Sequence, residues 1–170
     1  NYLCIENVNP EHIKILLDKM QDMGCDIEIN DDNVVINAYD NIIGTDIKTA
    51  GYPGFPTDLQ QPFVTLLSQA KGKSSVLETI YENRFMNVPY LNKMGANISV
   101  KEREATILGS NKLYGKEVEA TDLRAGASLL LAALKASGHT TIKNVEYLLR
   151  GYEDVIEKLS NVDRKSTRLN

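Results

Sequence analysis

The sequence predicts an α/β domain assembled from repeats, and three observations carry that expectation. Segments with apolar residues at helical spacing are followed by short segments that alternate every second residue. The order helix, small-residue turn, alternating hairpin recurs along the chain. A second block also occurs twice, at 57–84 and 121–150, opening on Thr-Asp-Leu and closing on an arginine.

Taken in order, Asn9-Pro10 supplies a cap and a first-turn proline, and Ile13, Leu16, Leu17 and Met20 share one helical face. Gly24 ends that helix, and residues 25–29 alternate as a half-buried strand. Asp31-Asp32-Asn33 then turns the chain into Val34-Val35-Ile36, making a hairpin. Thr57-Asp58-Leu59 opens the next helix, whose apolar residues are Phe63, Val64, Leu66 and Leu67. Lys71-Gly72-Lys73 ends it, residues 75–78 form a strand, and Arg84 follows a short loop. Residues 88–100 repeat the first pattern, with 105–108 as the hairpin partner. Thr121-Asp122-Leu123 opens a helix running through Leu129, Leu130, Leu131 and Leu134. Ser137-Gly138-His139 closes it, 140–142 is a strand, and Arg150 stands where Arg84 stood. A third copy of the first pattern starts at Tyr152 and stops almost at once. Such units must pack on one another to bury their apolar faces. The expectation is two full units and a truncated third, with strands outside and helices within as one possible layout.

Composition narrows the function classes. With 42% hydrophobic and 25% charged residues, the 170-residue chain has the balance of one soluble domain. A net charge of −4 disfavours broad nucleic-acid binding, which needs a basic face. No apolar run approaches the roughly 20 residues that cross a bilayer, and no leader argues for export, so a cytoplasmic protein is expected. Cys4 and Cys25 stand alone, and His12 and His139 are far apart in the pattern, so neither a metal site nor a histidine triad is expected. Lys71-Gly72-Lys73-Ser74 lacks the first glycine of a phosphate loop.

The candidate chemistry lies in carboxylates at helix starts and in arginines. Thr57 reads as an N-cap with Gln60 completing a capping box, which makes Asp58 the first helical residue. A carboxylate there is favoured by the helix dipole and suits a base, although acids are common in first turns for stability alone. Pro62 removes a hydrogen bond to the Asp58 carbonyl and loosens the helix start. The Gly- and Pro-rich stretch 51–56 reads equally as a ligand contact or a connector. Arg84, Arg124 and Arg150 converge near both helix starts if the repeats pack with like ends together. Guanidinium forks suit phosphate and carboxylate oxygens. The competing reading makes each a surface arginine or the partner of an acid such as Glu82 or Glu153.

Four blocks in order, Tyr52-Pro53-Gly54-Phe55-Pro56-Thr57-Asp58-Leu59-Gln60, then residues 78–86, then Ala120-Thr121-Asp122-Leu123-Arg124-Ala125, then Arg150-Gly151-Tyr152-Glu153, resemble the UDP-N-acetylglucosamine 1-carboxyvinyltransferases of the enolpyruvyl transferase family. The similarity covers residues 1–163. It implies an inside-out α/β barrel of βαβαββ units and transfer of the enolpyruvyl group of phosphoenolpyruvate to the 3-hydroxyl of UDP-N-acetylglucosamine, the first committed step of peptidoglycan precursor synthesis. It further implies that Asp58 is the base on that hydroxyl and that Asp122 is a second carboxylate beside the reacting carbon. Ile80 would meet the sugar nucleotide through its backbone. Arg84, Arg124 and Arg150 would line the site, Arg150 holding the phosphoenolpyruvate anion. No metal or organic cofactor is implied.

The family's lid cysteine, its phosphoenolpyruvate-gripping lysine and much of its nucleotide contact belong to another half, which is the expected partner of this chain. Cys4 and Cys25 lie in the wrong context to be that cysteine. Residues 164–170 are basic and polar where the earlier copies continue into a strand, so a tail foreign to the fold is expected there. Two other readings stand beside transfer to the sugar nucleotide: a non-catalytic UDP-sugar-binding module, and another enolpyruvyl transferase such as the shikimate-pathway enzyme.

Overall fold

The computed structural model describes residues 2–37 and 41–162, so the basic tail at 164–170 lies outside the described residues. The first sheet holds β1 (Tyr2–Glu6), β2 (Asp26–Ile29) and β3 (Asn33–Asn37) in the order β1-β3-β2, all antiparallel. A 3-10 turn (Pro10–Ile13) and α1 (Lys14–Asp22) connect β1 to β2. Leu17 of α1 packs on Ile27 and Val34 of that sheet.

The second sheet, order β4-β5-β7-β6, comprises β4 (Ile47–Lys48), β5 (Lys73–Leu77), β6 (Ile98–Lys101) and β7 (Glu104–Leu108). β4 and β5 run parallel, joined by α2 (Thr57–Leu67). From β5 the chain passes through α3 (Val88–Met94) to the β6–β7 hairpin, which returns antiparallel onto β5. The third sheet pairs β8 (Glu117–Glu119) with β9 (Thr141–Lys143) in parallel, joined by α4 (Leu123–Lys135). Two short helices follow, α5 (Glu146–Gly151) and α6 (Val155–Val162).

The ladders correct the phase of the repeat. The hairpin at 98–108 bonds to the strand before it, so β4-α2-β5-α3-β6-β7 is the complete βαβαββ unit. β1-α1-β2-β3 reproduces its second half, including the order in which the first strand pairs with the last. β8-α4-β9 reproduces its opening. The described residues therefore hold one complete unit flanked by two partial ones, in place of two full units and a truncated third. Apolar periodicity reveals a repeat length, whereas only strand pairing says where a unit begins.

Burial divides the helices into two kinds. α4 buries Ala125, Gly126, Ala127, Ser128, Leu129, Leu130 and Ala132, and α2 buries Gln60, Gln61, Phe63, Val64, Thr65 and Leu67. Helices covered on most sides belong to an interior, and α2 lies directly against α4. Part of that contact is polar: Thr65 and Ser128 hydroxyls are 2.7 Å apart, and Asn87 Nδ2 donates to Ser128 Oγ at 2.7 Å. α1 and α6, by contrast, bury one residue and none. Strands β5 and β7 alternate buried and exposed residues, with Val76 opposite Ala105 and Ser74 opposite Ile107 facing inward. One-sided antiparallel sheets show this alternation.

Candidate active site

The site grows from the start of α2. Phe55 is buried edge-on to Phe63 with ring centroids 5.0 Å apart, and Ala50 N–H donates to the Phe55 carbonyl at 2.9 Å. That anchor seats the 51–56 loop, leaves Tyr52 exposed, and sets Pro56 as the last extended residue before α2. Thr57 is then the first helical residue and Asp58 the second.

Thr57 is not a cap, and the expected capping box is absent. It lies inside the helix with Pro56 at the cap position, and its hydroxyl donates to Glu78 Oε2 at 3.0 Å and accepts from Arg84 Nε at 3.1 Å. Gln60 is buried in place of turning back on the helix start. The equivalent helix does have a side-chain cap: Asp122 Oδ1 accepts from Arg124 N–H at 2.8 Å and Ala125 N–H at 3.1 Å. The same Thr-Asp-Leu sequence thus begins two helices in two ways.

Packing of α2 on α4 brings the two starts together. Arg124 grips Asp58 Oδ1 through Nη2 at 2.6 Å and Nε at 2.7 Å, a pair spanning 66 residues. Gln61 Nε2 reaches Asp122 Oδ2 at 3.5 Å. Arg84 is buried and lies over the Tyr81 ring, its Cζ 4.2 Å from the centroid. Among the described residues it makes no ion pair, and Glu82 instead pairs with Arg103 at 3.1 Å. Ile80 N–H is committed to Glu78 Oε1 at 2.8 Å.

Asp58, Asp122 and Arg124 therefore share one place, and Arg84 and Ile80 join it through Thr57 and Glu78. Arg150 reaches it only through its neighbours. It is exposed in the last turn of α5, and its guanidinium makes no ion pair among the described residues. Gly151 next to it lies so close to Leu123, the first residue of α4, that an added Cβ would stand 3.1 Å from the leucine side chain. Tyr152 follows. Burial pushes its phenol above the usual tyrosine range, Arg124 opposes that, and Asp58 and Asp122 reinforce it. The cluster thus sets two carboxylates beside a guanidinium at two paired helix starts, groups that can hold an anionic ligand and move a proton.

Glu78, Thr49, Gln61 and Tyr152 are members that sequence reasoning did not select. Glu78 carried a legible signal. Ser74 and Val76 face inward on β5 and Glu78, just past its end, continues the alternation, so an acid falls at a core position, where unpaired acids are rare. A separate cleft of about 370 Å³ lies between α1 and the 52–56 loop, lined by His12, Lys14, Asp18 and Tyr52, and contains none of the candidate residues. Among the described residues no cluster of His, Cys, Asp or Glu is placed to hold a metal ion, and no helix is long and apolar enough to cross a membrane.

Known proteins share this arrangement of sequence and fold. The chain is 47% identical over 164 residues to UDP-N-acetylglucosamine 1-carboxyvinyltransferase 2 of Listeria monocytogenes, covering 96% of this chain and 39% of that protein. It is 48% identical over 167 residues to the UDP-N-acetylglucosamine 1-carboxyvinyltransferase of Clostridium botulinum, covering 98% and 40%. The chain therefore spans about two fifths of the length of these relatives. The enolpyruvyl transferase NikO from Streptomyces tendae superposes with a TM-score of 0.86 at 28% identity, over 95% of this chain and 38% of that one. EPSP synthase from Acinetobacter baumannii shares the fold at a TM-score of 0.62 and 18% identity, over 84% and 34%. Residues 2–159 match the family described as EPSP synthase (3-phosphoshikimate 1-carboxyvinyltransferase), and the chain belongs to that family.

Proposed function

We propose that the protein carrying this chain transfers the enolpyruvyl group of phosphoenolpyruvate to the 3-hydroxyl of UDP-N-acetylglucosamine and releases phosphate. The observation that carries the reading is the meeting of Asp58, Asp122 and Arg124 at the paired starts of α2 and α4, in a chain so similar to enzymes of that name. The reaction adds an alcohol oxygen to C2 of phosphoenolpyruvate and a proton to its C3 methylene. The adduct then expels phosphate and loses a C3 proton, leaving the enol ether. Such a path needs a base on the hydroxyl, an acid/base near C3, and cations on the phosphate and carboxylate.

Asp58 is the base in this reading. Arg124 engages Oδ1, which leaves Oδ2 to take the hydroxyl proton. Asp122, oriented by its two helix N–H bonds, is the carboxylate at C3. Arg84 and Arg124 line the anion site, Arg150 swings in from α5 onto phosphoenolpyruvate, and Ile80 offers its carbonyl to the sugar nucleotide. We read residues 1–163 as part of an inside-out barrel of βαβαββ units whose remaining half supplies the lid cysteine and the lysine. The reaction belongs to the cytoplasm and to peptidoglycan precursor synthesis.

The test uses the full-length protein and follows phosphate release from phosphoenolpyruvate. Release should require UDP-N-acetylglucosamine and should not be supported by shikimate 3-phosphate. Asp58→Asn should abolish turnover while sugar-nucleotide binding persists. Unchanged turnover in that variant would remove Asp58 from the role of base.

A further inference from the structure

We propose that Glu78 is a positioning residue for this site, holding α2, the 80–81 turn and Arg84 in one arrangement. The inference rests on the function proposed above. Glu78 is 1% exposed, yet no cation lies within ion-pair distance of it among the described residues. Its acceptor capacity is filled by four uncharged donors. Oε1 takes Thr49 Oγ1 at 2.9 Å, Ile80 N–H at 2.8 Å and Tyr81 N–H at 3.0 Å, and Oε2 takes Thr57 Oγ1 at 3.0 Å. A buried carboxylate that merely filled the core would be a costly choice, because an apolar side chain of like size fills the same space without desolvating a charge.

The four donors come from the segments that carry the candidate groups. Thr49 follows β4, Thr57 precedes Asp58, and Ile80 and Tyr81 form the turn on which Arg84 stacks. The link to Arg84 is directional. Arg84 Nε–H donates to Thr57 Oγ1, and the Thr57 hydroxyl proton is committed to Glu78, so the threonine must present a lone pair to the guanidinium. Charge on Glu78 is thereby felt at Arg84 through one hydroxyl, without direct contact that would neutralise a cation needed for an anionic ligand. Glu78 touches no substrate in this account; it sets the position of groups that do.

Two isosteric substitutions separate positioning from packing. Glu78→Gln keeps an oxygen for the Ile80 and Tyr81 N–H groups but turns an NH2 toward Thr57, which reverses the polarity of that link. Thr57→Val removes the link and keeps the shape, while Thr57→Ser restores it. In the full-length protein, Thr57→Val should lower kcat/KM for phosphate release by roughly ten- to a hundredfold, the scale of a misplaced catalytic group. Thr57→Ser should recover most of it, and Glu78→Gln should fall at least as far as Thr57→Val. The pH profile of kcat should keep its shape, since no titrating catalytic group is removed.

Nuclear magnetic resonance of the same proteins gives the second readout. The Arg84 Nε–H resonance should move in Glu78→Gln and Thr57→Val, and Ile80 and Tyr81 amide exchange should quicken only in Glu78→Gln, where the retained oxygen is a neutral amide and a weaker acceptor than the carboxylate. Activity of both Thr57→Val and Glu78→Gln within twofold of wild type would overturn the proposal, as would equal loss in Thr57→Val and Thr57→Ser. Should Glu78→Gln fail to fold, the threonine pair decides alone. If the wild-type protein releases no phosphate, the functional reading fails by itself, and the Arg84 Nε–H response in Thr57→Val still upholds or overturns the arrangement.

Discussion

Replacing Asp122 separates a structural duty from a chemical one. Its Oδ1 accepts two N–H groups at the start of α4, at 2.8 and 3.1 Å, and α4 is an interior helix that buries residues 125–130 and Ala132. Asp122→Ala leaves both donors without that acceptor, in a place where water reaches them only in part. Loss of an N-cap costs about 0.5–2 kcal/mol, and partial burial puts this one in the upper half, about 1–2 kcal/mol. For a domain of this size that lowers Tm by about 2–8 °C. Asp122→Asn keeps an oxygen at the same position and caps nearly as well. It loses only the charge at the helix N-terminus, worth about 0.3–1 kcal/mol. Thermal melts followed by circular dichroism should therefore rank wild type, Asn and Ala in descending order, with the larger step between Asn and Ala. Phosphate release in the full-length protein should instead be lost in both variants. Equal destabilisation by Asn and Ala, or an Ala variant melting with wild type, would refute the cap; full activity in the Asn variant would refute the role at C3.

Two further outcomes follow from packing and from titration. An added Cβ at Gly109 would collide with the Leu67 carbonyl at the end of α2 and with the Ala70 carbonyl beyond it, both backbone atoms, so Gly109→Ala should cost about 1–3 kcal/mol in urea denaturation. Gly51→Ala meets nothing within 4 Å and should stay within about 0.5 kcal/mol of wild type; equal losses at both positions would overturn the contact argument. The Tyr152 phenol is raised above 10.0 by burial first, with Asp58 and Asp122 adding to the shift and Arg124 opposing it. The folded protein thus holds that proton more tightly than the unfolded chain, so the contribution is intact below about pH 10 and is lost as pH rises through the folded pKa. Tyr152→Phe has no such proton and should lose less stability than wild type between about pH 9 and about pH 11, measured by urea denaturation at each pH. Parallel curves for the two proteins would refute it.

Local chemistry made much of the molecule legible. The helix and hairpin from Pro10 to Asn37 follow from Ile13, Leu16, Leu17 and Met20 on one face and from Gly24, whose φ of +90° suits a residue without a side chain. The second copy ends likewise at Gly95, φ +113°. β1 escaped notice because Tyr2–Glu6 is short, exposed at every residue, and pairs with a strand some 30 positions away. The α5 helix also escaped notice. It puts Arg150 in an exposed turn, whereas Arg84 is buried in an irregular segment, so equal spacing did not yield equal environments.

Sequence by itself determined the repeat, the type of each element with a clear apolar period, and the carboxylate and arginine residues that serve as candidates, because periodicity and residue chemistry are local properties. Tertiary structure alone decided where each unit begins, since that depends on which strands bond. It also decided that Arg124 pairs with Asp58, that Glu82 goes to Arg103, and that a buried Glu78 gathers three segments. Thr57 and Thr121 show why. Each precedes an Asp-Leu pair, but α2 begins at Thr57 behind Pro56, which has no side-chain acceptor, and its Thr57 hydroxyl goes to Glu78 and Arg84, whereas α4 begins at Leu123 with Asp122 as its cap. A hydroxyl has one proton to give, and its recipient is set by what folding brings within 3 Å of it.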